Sequence, residues 1–207
     1  MKRCIVNVAI GGNYAEFGQP RLLKSIAEHG EGVDVLTWKN EYPPDSPTEK
    51  EAPRAFKLYA MLEAMRQGYD QILWLDSSAY LNRSIQQMWN RIAWDGYYFV
   101  GWTCALGYVA PDEGLQVCRC TREQANEMTL MLAGCWGISL TKPIGRAILQ
   151  HLLDMAAAGA NVGDDGRDET PMTVMVHRWD LRWQPQPAMF NTWEHKDGSA
   201  LIQFQGV

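Results

Sequence analysis

With 207 residues, 46% of them apolar, and a formal net charge of −5, the chain is sized for one α/β domain spanning residues 1–207. No basic tail or Lys/Arg stripe runs along it, so bulk charge gives no support to strong non-specific nucleic-acid binding. No apolar run is long enough to span a bilayer, no signal peptide opens the sequence, and its five cysteines lack zinc-site spacing, so a cytoplasmic protein with reduced thiols is expected.

Cys4 to Ile10, CIVNVAI, is an apolar β-rich run that ends in Gly11-Gly12-Asn13. A strand followed by a glycine turn is how nucleotide-binding α/β domains begin. Helical spacing of Leu22, Leu23 and Ile26 predicts a helix over 19–29 that stops at Gly30. VDVLTW (33–38) predicts a second strand, and residues 40–53, rich in Pro, Asp, Ser and Glu, a surface loop. A helix is expected over 55–67, with Gly68 as its stop.

Gln71 to Leu75 is a short apolar strand that ends on Asp76. A further amphipathic helix follows over 85–92, then an aromatic strand over 96–103. Residues 108–121 have no period and hold Cys118 and Cys120; the segment is expected to be irregular. Thr121 to Met131 is predicted helical, and GCWGISL (134–140) a strand. The clearest helix spans 142–158, with Pro143 suited to its first turn. Residues 168–177 are predicted helical, with short strands at 181–183 and 201–204. Strands alternating with helices predict a mostly parallel central sheet flanked by helices, in one Rossmann-type domain.

Asp76 is the first candidate for chemistry. An acid at the C-terminal end of an apolar strand lies at the sheet edge where α/β proteins bind ligands. There a carboxylate can hold a divalent cation. A strand-end Asp followed by Ser77 and Ser78 also suits a turn or helix cap. Lys57, with Arg54 one turn before it, can contact phosphate; a solvated lysine at a helix edge is the plainer alternative. Trp74 and Trp136 sit beside polar loop signals and offer flat faces to sugar rings or bases, or fill the core.

The segment FKLYAMLEAMRQGYDQILWLDSSAYLNRSI (56–85) resembles the central motif of GT-A-fold glycosyltransferases. Those enzymes often carry a lysine-bearing helix, a GYD turn, an apolar strand ending in WLD, and a D-x-D or variant. The matching positions are Lys57, Gly68 to Asp70, Trp74 to Asp76, and Ser78 in place of the second acid. The resemblance implies a GT-A-like fold and transfer of a hexose from a nucleotide diphosphate sugar, UDP-sugar favoured, to the hydroxyl of a saccharide or glycoconjugate.

Carried over residue by residue, it assigns Ile10, Gly11, Gly12, Asn13 and Tyr14 to the base and ribose. Lys57, Trp74, Asp76, Ser77, Ser78, Trp136 and Lys196 fall to the rest of the donor. Mn²⁺ or Mg²⁺ would be held by Asp76 and Ser78, with the late His195 supplying the ligand that Ser78 does not. Asp168 and Glu169 are the candidate catalytic acids, one of them acting as base on the acceptor hydroxyl. Acids at a helix start are also favoured by the helix dipole alone. Two other functions fit the same residues: a viral-type enzyme that glycosylates a hydroxymethylated base in DNA, and a non-catalytic nucleotide-sugar-binding domain. Convergence of Arg83, Arg91, Arg119 and Arg122 on one opening would favour the DNA reading.

Overall fold

The computed structural model describes residues 1–161, 168–185, 190–191 and 202–204, the last two stretches as strand backbone. The chain opens with β1 (Arg3–Ala9), a π-helical turn (Tyr14–Gly18) that runs into α1 (Gln19–His29), β2 (Asp34–Lys39) and α2 (Phe56–Arg66). It continues through β3 (Gln71–Leu75), β4 (Ala79–Leu81), α3 (Gln86–Asp95), β5 (Tyr97–Tyr98) and β6 (Val100–Ala105). Then come α4 (Asp112–Val117), α5 (Arg122–Asn126), β7 (Thr129–Met131) and β8 (Cys135–Ser139). α6 (Pro143–Ala157), α7 (Glu169–Arg178), β9 (Gln184–Pro185), β10 (Phe190–Asn191) and β11 (Ile202–Phe204) complete it.

The central sheet runs in the order β2-β1-β3-β8-β5. β1 pairs in parallel with β2 and β3, whereas β8 is antiparallel to both β3 and β5. All strands but β8 therefore point the same way, and the sheet is mostly parallel. Along β1, Cys4, Val6 and Val8 join a core with Met61 of α2, Ile148 of α6 and Met175 of α7. Ile5 points to the opposite core, with Leu22 and Ile26 of α1 and Trp89 of α3. Both faces are covered, which is why β1 and β3 are mostly apolar, with Asn7 and Gln71 as buried polar exceptions. Burial of the five β3 side chains is worth roughly 1.5–3 kcal/mol for each large one.

The structure adds a π-helical turn over residues 14–18 and β4, neither of them predicted, and differs from sequence expectation in three further places. Residues 108–121 are ordered around α4, whose end packs Cys118 and Cys120 into a third small core with Leu115 and Val174. The helix expected over 121–131 stops early: Thr121 and Gln124 form a reciprocal cap on α5, and β7 follows. The strand expected at 181–183 begins at Gln184, whose backbone N–H donates to the Phe99 carbonyl at 2.9 Å.

Two polar side chains hold β1, α1 and the turn after β3 together. Asn7, fully buried, donates to the Leu75 carbonyl at 2.7 Å and to Ser77 Oγ at 3.1 Å. Gln19 donates to Asn7 Oδ1 at 2.9 Å and to the Trp38 carbonyl at 3.0 Å. Burying these amides would cost several kcal/mol if they were unpaired; paired, they fix the turn that carries Asp76. Gly18 packs against the same turn, where an added Cβ would lie 2.5 Å from the Ser77 carbonyl oxygen. Gly18→Ala is expected to destabilise by about 1–3 kcal/mol. Urea denaturation checks this, and an unchanged midpoint would mean that the turn shifts freely.

Candidate active site

A cavity of about 220 Å³ opens at the C-terminal edge of β1 and β3. Parallel pairing brings both strand ends to one edge, and α2 begins there. Val8 and Ile10 line the cavity from β1, Tyr14 from the π-helical turn, Arg54, Phe56 and Lys57 from the start of α2, and Trp74 to Ser78 from β3 and its turn, Leu75 excepted. Glu49 adds a carboxylate at the rim. The structure thus brings together Ile10, Tyr14, Lys57, Trp74, Asp76, Ser77 and Ser78.

Gly11 and Gly12 form the exposed loop beside them, with φ of 73° and 37°. That left-handed backbone favours glycine at both positions. Asn40 Oδ1 accepts from the Gly11 N–H at 2.9 Å and ties the loop to the end of β2. Asn13 precedes the π-helical turn and is exposed. Lys196 and His195 lie outside the described residues.

Lys57 is the electrostatic centre. It is 3% exposed, and its ammonium lies 2.9 Å from Asp168 Oδ2, 3.2 Å from Asp76 Oδ1 and 3.3 Å from the Ala133 carbonyl. An ammonium has three N–H donors, and each has an acceptor here. Trp74 Nε1 also donates to Asp76 Oδ1, at 2.7 Å. Burial alone would pull the Lys57 pKa down; the Asp168 and Asp76 carboxylates outweigh it and hold the group above the usual lysine value. The carboxylates remain partly open to solvent, at 27% for Asp76 and 13% for Asp168.

The antiparallel course of β8 supplies the third acceptor. Its first residues face the last residues of β3, Cys135 against Leu75 and Trp136 against Trp74. The Asp76 N–H donates to the Gly134 carbonyl at 2.9 Å, so the chain entering β8 crosses the site edge. Trp136 itself is buried, with its ring stacked on Phe99 at 6.1 Å, and lies beneath Lys57 and Asp168.

Glu169 opens α7 next to Asp168. Burial, and then the Asp168 charge, push its carboxyl above the usual glutamate range despite the opposing pull of Lys57. Arg54 feels burial in the lowering sense, but Asp168, Asp76, Glu49 and Glu169 together raise its pKa. His177 lies at the far end of α7 with Nε2 3.0 Å from the Thr129 carbonyl, away from the cavity. The five cysteines are free thiols, and burial pushes Cys118 up to about 11 and Cys4 up to about 12, which leaves little thiolate for nucleophilic chemistry. Arg54 enters the site more directly than sequence reasoning assigned it; its one signal was the one-turn spacing before Lys57. Glu49 had no signal at all.

No protein-family model matches the chain, and no curated protein matches it. Among solved structures, one match is the crystal structure of a glycosyltransferase involved in the glycosylation of the major capsid of PBCV-1. The TM-score is 0.60 at 13% identity, over 99% of this chain and 93% of that one. This chain shares the fold of that glycosyltransferase. In all, 235 solved chains match it, and a shared fold at low identity does not carry an activity with it. What the glycosyltransferase fold does here rests on the cavity and the charges around Lys57. No helix among the described residues is long and apolar enough to cross a membrane.

Proposed function

We propose that this chain is a GT-A-like glycosyltransferase that moves a hexose from a nucleotide diphosphate sugar, UDP-sugar favoured, to the hydroxyl of a saccharide or glycoconjugate. The observation that carries the reading is the cavity at the β1/β3 edge, which ends on Asp76 and the Lys57 ion pairs. Ile10, Tyr14 and the Gly11-Gly12-Asn13 backbone form the base and ribose slot. Ser77 and Ser78 with Asp76 face the diphosphate, and Trp74 backs the donor sugar; Trp136, buried beneath Lys57 and stacked on Phe99, does not line the cavity and serves the core instead. Lys196 is assigned to the same donor and lies outside the described residues.

Oxygen donors suit Mg²⁺ or Mn²⁺. Asp76 Oδ2 makes no hydrogen bond among the described residues, whereas Oδ1 is taken by Lys57 and Trp74. No group of three His, Cys, Asp or Glu side chains among the described residues is placed to hold a metal. Asp76 and Ser78 would hold the cation with diphosphate oxygens and His195. Bound there, it would offset charge on the departing diphosphate.

In the transfer, the bond from the anomeric carbon to the phosphate oxygen breaks and the nucleoside diphosphate leaves. The acceptor oxygen bonds to the anomeric carbon and gives its proton to a carboxylate. Glu169 is assigned as that base; burial and the neighbouring charge raise its proton affinity. Asp168, fixed by Lys57, holds its place. None of Arg83, Arg91, Arg119 and Arg122 lines the cavity, so a saccharide acceptor is favoured over a DNA base.

A panel of sugar nucleotides, assayed for hydrolysis and thermal shift with and without Mn²⁺, tests the reading. Turnover of a UDP-sugar is expected. A thermal shift without turnover would make the chain a binding domain, and neither response with any donor would sink both.

Glu169→Gln is expected to lower transfer about 10²- to 10⁴-fold. It has an opposite effect on stability. The folded-state pKa of Glu169 is raised, so its contribution is favourable below the unfolded value and is lost as pH rises through the folded one. At neutral pH the ionised group costs stability, and Gln removes that cost. The variant should melt higher than wild type at neutral pH and show no such gain below the ordinary glutamate range. A lower melting temperature at neutral pH would contradict the assignment.

A further inference from the structure

Among the described residues the cavity has two cations, and they are not equivalent. Lys57 spends its three donors on Asp76, Asp168 and the Ala133 carbonyl, so an incoming phosphate oxygen can gain one only by breaking a buried contact. Arg54 is different. Its side chain is 39% exposed, and its Nε lies 3.2 Å from Glu49 Oε1. Glu49 is the carboxylate it pairs with, itself 43% exposed at the cavity rim.

Its backbone is also unusual. Arg54 has φ of 60°, a left-handed conformation that costs a non-glycine residue about 1 kcal/mol or more. The Arg54 N–H donates to Glu49 Oε2 at 2.9 Å, which holds the strained residue in place. The result is a guanidinium projecting into the cavity at the N-terminal end of α2, a helix start without a side-chain cap. The positive end of the helix adds to its charge there.

We propose that Arg54, and not Lys57, is the residue that binds the diphosphate, while Lys57 is a positioning residue that fixes Asp76 and Asp168. The guanidinium fork matches two phosphate oxygens in a way that an ammonium cannot. Glu49 holds Nε on one side of the guanidinium; Asp76, the other carboxylate among the described cavity residues, has its charge offset by Lys57. The proposal rests on the donor reading above only for what the diphosphate is attached to.

Inorganic pyrophosphate is the probe, titrated calorimetrically into the full chain with EDTA and, separately, with Mn²⁺. Comparing proteins within one condition cancels any metal contribution. Arg54→Asn removes the charge and keeps a residue that tolerates the left-handed backbone. It is expected to weaken pyrophosphate about 10- to 100-fold, with a folded-state melting curve close to wild type. Arg54→Lys keeps the charge without the fork and should recover part of the loss.

Equal affinity in wild type and Arg54→Asn, or no pyrophosphate binding by wild type, would overturn the proposal. The outcomes separate it from the transferase reading. Arg54-dependent pyrophosphate binding in a chain that turns over no sugar nucleotide keeps this site and rejects the reaction. Full donor turnover by Arg54→Asn does the reverse.

Discussion

Asp76→Asn is expected to abolish donor turnover in a chain that still folds. The amide keeps an oxygen to accept from Trp74 Nε1 and Lys57, now at 2.7 and 3.2 Å, and Asp168 still balances the lysine at 2.9 Å. What disappears is the negative charge facing the cavity through Oδ2. A ligand for a cation at the departing diphosphate is worth several kcal/mol, or about 100- to 1,000-fold in rate. Steady-state hydrolysis of the donor, beside circular dichroism and a melting curve, measures both halves. Wild-type turnover by the folded variant would remove Asp76 from the mechanism.

Lys57→Met should have the largest effect on stability. The methionine fills similar space but leaves Asp76 and Asp168 facing one another with no cation between them. Removing one partner of a buried charge network costs about 3–5 kcal/mol. The carboxylates are partly solvated, 27% and 13% exposed, and water screens some of that penalty, so about 3 kcal/mol is the expected loss. In a chain of this size that lowers the melting temperature by roughly 6–12 °C. Adding Asp76→Asn and Asp168→Asn should recover most of it, because the penalty belongs to unpaired charge and not to lost packing. A Lys57→Met chain as stable as wild type would mean that the ion pairs contribute nothing net.

Much of this arrangement was legible from local pattern. QILWL is an apolar run too short for a helix and bounded by turn residues, so β3 and its Asp76 end could be placed. The 3.6-residue period of Ile144, Ile148, Leu152 and Met155 marked α6, and Gly68 marked the end of α2. These features depend on neighbours within a turn or two. Others depend on partners far along the chain. Asn7 and Gln19 look like stray polar residues until the Leu75 carbonyl and Ser77 are folded against them. The left-handed backbone of Arg54 is set by Glu49, five residues before it. β7 was lost inside a predicted helix because its three residues, Thr129 to Met131, are too few to show an alternation, and the Met131 N–H finds the α7 Thr173 hydroxyl only in the fold. Lys57 was singled out from a motif, but its saturation by three acceptors needed the geometry.

The same lysine has a consequence for the order in which the molecule assembles. Its acceptors come from the end of β3, the chain entering β8 and the start of α7. A growing chain that has reached only Asp76 carries Lys57 half-compensated beside an apolar sheet edge. Such a lysine keeps water around it and holds the edge open. Docking of α7 completes the neutralisation and expels that water, so the donor cavity and the last long helix should become protected from hydrogen exchange in one cooperative step. A chain cut before Asp168 would then lose its cavity along with the helix, although every described cavity-lining residue would still be present.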